Sequence, residues 1–317
     1  MRRPAFGLLL GVLLSLAALA AVGLRAGDGA RMPGVNEWWP LALAVPAAGF
    51  GWLLHGLMLA VLVRPQLPDV RVRDMLRVHL GASFVGGVTP FGGAEVPYQI
   101  YMLRRLGLAS GLGGAVMATK AMLNVSVIVF GGLLGLAFLS GLPPGELRTL
   151  LAAGGVVALV WLLIARLVRR PRRRRAARGG AVRRTVAGFV EDMKDGFVVL
   201  WRKEPRAVVL CAGLMVLYWA VYLTLGPLAL MAAGWTGDWG PVITAQLLLY
   251  ALLPLSPTPG GSGAAELGFA ALVSPHVPGG YLLSGVLLWR GITYHLPLVL
   301  GAFLVGQEVG GGMRARG

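Results

Sequence analysis

The sequence predicts an all-α polytopic membrane protein: about six transmembrane helices plus two re-entrant helical hairpins, arranged as an inverted repeat. Three observations carry that expectation. Of 317 residues, 56% are hydrophobic and 13% charged, whereas a soluble domain carries about 25% charged residues. The apolar residues are gathered into runs that match the roughly 20 residues a bilayer-spanning helix needs. Two further apolar runs are broken in the middle by related motifs, Thr89-Pro90-Phe91-Gly92-Gly93-Ala94-Glu95 and Thr258-Pro259-Gly260-Gly261-Ser262-Gly263-Ala264-Ala265-Glu266. Proline removes a backbone donor and glycine admits conformations closed to other residues, so neither stretch continues a helix. Each break ends on a carboxylate. The echo is imperfect, because Thr to Glu is six positions in the first copy and eight in the second.

Taken in order, residues 1–23 resemble a signal peptide, with Arg2 and Arg3 ahead of the apolar core (5–24 as a span) and Ala18-Leu19-Ala20 as a cleavage-like site. In a chain with several later spans they read as an uncleaved first helix. Full-length spans follow at 38–63, 109–139, 149–168, 207–233 and 281–306, and the broken stretches cover 78–100 and 241–277. Charge sets the expected topology. With a cytoplasmic N-terminus and both broken stretches returning to the side they came from, the cytoplasmic side collects 24 Lys/Arg and the outer loops hold Arg25, Arg31 and Arg148. That imbalance is what the positive-inside rule expects, and it places both termini in the cytoplasm of a multi-pass inner-membrane protein. A single domain, 1–317, then contains a first span–hairpin–span repeat at 38–139 and a second, oppositely oriented, at 207–306. Such repeats are typical of transporters whose broken segments meet near the midplane. The competing reading makes the two motifs Gly-rich loops at the membrane surface.

Between the repeats, 166–206 differs in composition. Ten arginines fall between Arg166 and Arg184, a run suited to setting topology and to contacting anionic inner-leaflet lipids. Residues 185–203 have Phe189, Met193, Phe197, Leu200 and Trp201 on one face and Glu191, Asp192, Lys194 and Asp195 opposite. Such a helix lies in the interface or packs on the bundle; the pattern fits both. The formal charge of +16 sits beside apolar runs, so nucleic acid is not an expected partner.

Chemistry has few candidates. One cysteine, Cys211, excludes an intrachain disulfide, and four histidines without HExxH spacing make a zinc site improbable. No cofactor is expected, and no P-loop is present. Gly261-Ser262-Gly263 with His295 invites an intramembrane hydrolase, but Gly-Ser-Gly arises easily in a chain with 48 glycines.

Ionisable residues within spans are the stronger signal, because charge in hydrocarbon is costly. Lys120 lies eleven residues into its span, about 16 Å deep. Arg290 lies nine residues into the last span, about 14 Å deep. Glu95 and Glu266 reach similar depth if the hairpins are real. Two cations and two anions in one bundle should pair, either as a structural cluster or as a polar pocket for a charged headgroup. Helix N-termini after each break add N–H donors that favour an anion. Asn124 and Tyr294, one turn beyond Lys120 and Arg290, share their faces. Trp38, Trp39, Trp235 and Trp239 fall at expected membrane boundaries, where such rings are common. The candidate substrate-binding set is therefore Thr89, Pro90, Gly92, Gly93, Glu95, Lys120, Asn124, Thr258, Pro259, Gly260, Gly261, Ser262, Glu266, Arg290 and Tyr294.

The stretch from Pro257 to Gly263 with Glu266-Leu267-Gly268 resembles the second signature of the flippase-like family named for the transmembrane region of lysylphosphatidylglycerol synthases. Leu288-Trp289-Arg290-Gly291-Ile292-Thr293-Tyr294 is similar to its C-terminal Arg/Tyr signature. Thr89 to Glu95, followed by Tyr98-Gln99-Ile100-Tyr101-Met102-Leu103, is similar to its first. Lys120 departs from that pattern, where more variable and often acidic character is expected. The resemblance implies a lipid flippase or transporter that moves a phospholipid or lipid-linked headgroup and is not an enzyme, since the soluble synthase domain has no counterpart here. A membrane scaffold that recruits a lipid-modifying enzyme through the basic loop is the alternative.

Overall fold

The computed structural model describes residues 2–26, 34–138 and 181–314, with scattered positions between 154 and 166. Among these residues every regular element is helical. The helices are α1 (Arg2–Ala26), α2 (Trp39–Val63), α3 (Val72–Gly87), α4 (Glu95–Arg105), α5 (Ser110–Phe138), α6 (Ala181–Lys203), α7 (Pro205–Tyr222), α8 (Leu225–Ala232), α9 (Trp239–Leu252), α10 (Ala264–Val273), α11 (Gly279–Arg290) and α12 (Leu296–Arg314). Among the described residues four stretches are long and apolar enough to cross a membrane: Trp39–Val63, Ser110–Gly132, Pro205–Ala232 and Gly279–Glu308. α1 contains a shorter apolar run, Leu9–Leu24. The protein is a multi-pass, all-α membrane protein. Apart from those scattered positions, the expected span at 149–168 lies outside the described residues, as does the basic run at 169–180.

Both broken stretches consist of helices too short to cross singly. α3 and α4 have 16 and 11 residues, α9 and α10 have 14 and 10. At a rise of about 1.5 Å per residue, the longest reaches about 24 Å, short of a hydrocarbon core of about 30 Å. α9 and α10 pack on each other. A Cβ placed on Gly268 would come within 2.8 Å of Leu249 Cδ1, so this second stretch is a tight helical hairpin. At the first break the chain also folds back. A Cβ on Gly86 would lie 2.9 Å from that of Glu95.

The chain divides into two compact units. One comprises residues 55–78 and 97–216. Its main contact is α6 against α5, which settles the two readings of the amphipathic helix: its apolar face is covered by protein. Small residues allow the approach. A Cβ on Gly114 would stand 3.0 Å from the Phe189 ring, and one on Gly196 would stand 3.0 Å from Leu112 Cδ1. Trp201 Nε1 donates to Thr119 Oγ1 at 3.2 Å. α6 thus runs beside the first three turns of α5, as far as the turn that carries Lys120, which lies within the apolar stretch Ser110–Gly132.

The other unit comprises residues 1–54, 79–96 and 217–317. Its core gathers Val22, Leu230, Trp235, Leu249, Phe269, Val286 and Trp289, with Phe269 and Trp289 stacked at 4.4 Å between centroids. Trp235 is only 4% exposed, so it is a core residue and not the boundary residue expected of it. The turn at Gly234 (φ +95) returns the chain so that Trp235 N bonds Leu230 O at 3.0 Å.

The span containing α7 and α8 is interrupted at Leu223-Thr224, and Pro227 explains the interruption. Its missing N–H frees the carbonyl four residues earlier, at Leu223. Gln246 Nε2 donates to that carbonyl at 2.7 Å, meeting the rule that buried backbone groups find partners. Gly226 makes room, because a Cβ there would sit 2.6 Å from the Gln246 amide.

Candidate functional site at the paired breaks

The two Thr-Pro motifs adopt one backbone course. Thr89 and Thr258 are extended (φ −114, ψ 143 and φ −81, ψ 149). The proline then opens a single 3-10 turn, Pro90–Gly92 or Pro259–Gly261. Next come two left-handed residues: Phe91 (φ 55, ψ 14) and Gly92 (φ 63) in the first break, Gly260 (φ 58, ψ 18) and Gly261 (φ 68) in the second. The courses then part. Gly93 is helical (φ −60, ψ −21) and leads into α4, whereas Ser262 is extended (ψ 135) and Gly263 turns at φ +84. That difference accounts for the unequal Thr-to-Glu spacing. The two turns pack against each other, so the motifs found as separate echoes form one site.

Its centre is an ion pair. Glu266 is 0% exposed and Arg290 4%, and Arg290 Nε donates to Glu266 Oε1 at 3.0 Å. The same oxygen accepts from Ser15 Oγ at 2.6 Å. Oε2 accepts from Gly263 N at 2.8 Å, the acidic half of a capping box at the start of α10. Arg290 Nη2 donates to the Gly260 carbonyl at 3.3 Å, and its guanidinium lies 4.2 Å from the Tyr294 ring centroid, within cation–π range. Tyr294 Oη in turn donates to the Gly87 carbonyl at 3.0 Å, just before the first break. A π-helical turn, Gly291–His295, interrupts the last span immediately after Arg290; such turns are frequent at functional sites.

Helix α1 lies across the site along one stripe, Gly7, Gly11 and Ser15, spaced four residues apart so that they share a face. Gly7 abuts the Val88 carbonyl, where a Cβ would collide. A Cβ on Gly11 would stand 3.4 Å from Ser262 Oγ, 3.7 Å from Tyr294 Oη and 3.8 Å from Pro259 Cβ. Ser15 supplies the hydroxyl to Glu266. Ser262 is 0% exposed and its Oγ has no hydrogen-bond partner. The Trp289 indole Nε1 is likewise buried without one. Buried polar atoms are nearly always paired, so two buried donors without partners among the described residues, beside an ion pair, set this site apart.

The structure brings together Thr89, Pro90, Gly92, Gly93, Glu95, Thr258, Pro259, Gly260, Gly261, Ser262, Glu266, Arg290 and Tyr294 in one unit. Lys120 and Asn124 stand on α5 in the other. Some candidates have local structural roles: Thr89 Oγ1 donates to Val85 O at 3.0 Å and accepts from Ala94 N at 3.3 Å. Thr258 Oγ1 and Ser256 Oγ lie 2.9 Å apart. Glu95, half-buried, is the first residue of α4.

Sequence reasoning missed Ser15, whose signal was the Gly7–Gly11–Ser15 spacing. It also missed an aromatic cluster near Arg290: Tyr218, Trp219, Tyr222 and Tyr250, with Tyr218 and Tyr222 stacked at 5.0 Å and Trp219 meeting Tyr250 edge-on at 5.3 Å. Among the described residues no group of three or more His, Cys, Asp or Glu side chains is placed to hold a metal ion.

The chain is similar to a UPF0104 membrane protein of Archaeoglobus fulgidus, 22% identical over 95% of this chain and 97% of the relative. Residues 5–301 match the family described as the lysylphosphatidylglycerol synthase transmembrane region. That match takes in both breaks, the α1 stripe, Arg290 and Tyr294, and the chain belongs to the lysylphosphatidylglycerol synthase transmembrane-region family.

Proposed function

We propose that this protein is a lipid flippase or transporter of the cytoplasmic membrane, that its termini are cytoplasmic, and that it does not catalyse a covalent reaction. The observation that carries the reading is the buried polar set at the junction of the two breaks. Irregular backbone at membrane depth is tolerated only where protein or a wet cavity covers it, and here it coincides with a buried ion pair and the unpaired hydroxyl of Ser262. A phospholipid or lipid-linked headgroup hydrogen-bonds in this site while its chains remain in the bilayer, and rocking of the two repeats exchanges its exposure. Arg290 is already matched by Glu266, so the site offers hydrogen bonds more than net positive charge. The basic run at 169–180 contacts anionic lipids of the inner leaflet.

The decisive experiment separates transport from bundle stability. Breaking a buried ion pair on one side destabilises strongly, whereas replacing both partners with apolar residues is often neutral. The Glu266→Leu, Arg290→Leu double variant is therefore expected to retain its thermal midpoint in detergent and to lose lipid translocation in proteoliposomes. Full translocation by a folded double variant refutes the headgroup role. Orientation has its own check. Cysteines at Leu106 and His276, in a Cys211→Ala background, should be labelled from opposite faces of inner-membrane vesicles; labelling from one face rejects the inverted repeat.

A further inference from the structure

Phe91 is a non-glycine residue with positive φ, and no other is found among the described residues. A side chain there meets the backbone unfavourably, and residues held in such conformations cluster at functional sites. The conformation belongs to the break, because Gly260 takes the same angles at the equivalent position. Glycine would therefore serve at 91 with less strain. Nor do the described residues cover the Phe91 ring. It is 61% exposed and makes no ring contact among the described residues. By contrast, Gly260 could not carry a side chain at all, since a Cβ there would strike the Tyr294 ring.

An exposed phenyl on a lipid-facing helix is ordinary. This one stands between Thr89 and Glu95, on a turn packed against the turn that holds Gly260 and adjoins Ser262. Its polar neighbours suit a headgroup; the ring itself suits hydrocarbon.

We propose that Phe91 contacts the apolar chain of the transported lipid where that chain joins the headgroup. This rests on the reading of the breaks as a headgroup site and adds the residue that grips the chain. The ring excludes water from the first break and holds the lipid's first methylenes while the headgroup occupies the polar set. A phenyl ring accepts acyl and polyprenyl chains alike, so the ligand is identified here by its chemistry as a hydrocarbon chain at a headgroup neck.

The test places p-benzoylphenylalanine at Phe91 in the full-length protein, in vesicles of phosphatidylethanolamine, phosphatidylglycerol and cardiolipin doped with the expression host's total lipid extract. After irradiation, the adducts are identified by mass spectrometry. The expected result is an adduct population enriched at least fivefold in one lipid class relative to the vesicles, with the same probe at Phe303, an exposed position of α12, returning the bulk composition. Adducts at position 91 that mirror the bulk composition overturn the proposal, because the ring then sees only surrounding bilayer. A second measurement does not depend on the photoprobe: Phe91→Gly should lower translocation at least fivefold without lowering the thermal midpoint, and Phe91→Leu should restore most of the loss. Unchanged translocation in Phe91→Gly also overturns it. Loss of transport in the Glu266→Leu, Arg290→Leu variant combined with bulk-like adducts at 91 removes this inference alone. Full transport in that double variant removes the headgroup site itself.

Discussion

Thr89 to Glu95 and Thr258 to Glu266 start on the same backbone course, yet their surroundings differ. Pro90, Phe91 and Gly93 are exposed, while Pro259, Gly261, Ser262 and Glu266 are buried. Two causes are visible. Helix α1 lies against the second break, with Gly11 beside Ser262 and Pro259. The two additional residues, Ser262 and Gly263, let Glu266 fold back onto its own helix N-terminus while facing Arg290. A motif that looks duplicated in sequence has thus become one anchored and one open element. In the anchored copy the carboxylate is fully buried in an ion pair with Arg290, whereas Glu95 is half-buried.

That contrast can be broken by substitution. The largest effect should come from Glu266→Ala, which leaves Arg290 buried without its anion; removing one partner of such a pair costs about 3–5 kcal/mol. The measurement is equilibrium unfolding in mixed micelles, with Glu95→Ala alongside, which is expected to lose much less. Equal losses would make the two breaks energetically alike and dissolve the comparison. Next is Gly260→Ala. It combines a left-handed alanine with a clash on Tyr294 and should lose about 2–4 kcal/mol. Gly92→Ala, where a Cβ meets nothing within 4 Å, should show only the backbone part, about 1–2 kcal/mol.

Ser15→Ala follows. It deletes a buried hydrogen bond to a charged acceptor, worth about 1.5–3 kcal/mol, and no serine of α1 other than Ser15 exists to compensate. A loss below the error of the unfolding measurement would mean that α1 does not anchor the second break. The smallest effect is a gain. Phe91→Gly relieves left-handed strain at some cost in chain entropy, and stability should rise by roughly 0.5–1 kcal/mol.

Much of this was legible in the sequence. Proline followed by paired glycines inside apolar runs marked both breaks, whereas the lone Pro46 is carried within α2, and an arginine and a glutamate in an apolar bundle were expected to pair, as Arg290 and Glu266 do. What escaped was set by contacts distant in sequence. Ser15 looks like any serine in a hydrophobic helix until its partner, 251 residues away, is known. Nothing in α5 itself reveals that α6 runs beside its first turns. An amphipathic face has the same period whether it meets lipid or another helix, so α6 could not be placed. Trp235 followed a rule about interfacial aromatics that a left-handed glycine at 234 overrides. The difference between the breaks was written in two inserted residues, but its effect on burial depends on α1.

The bond between Ser15 and Glu266 also bears on biogenesis. Helix α1 is synthesised well before α10 and α11, and the surface that receives its Gly7–Gly11–Ser15 stripe is completed only when those helices have followed. Contacts this remote in sequence are slow to form. Helix α1 therefore waits in the bilayer with a notched, partly polar flank until α10 and α11 have been made, and docks only then. Its arrival closes the assembly, burying the carboxylate–guanidinium pair only in molecules whose downstream half has already folded.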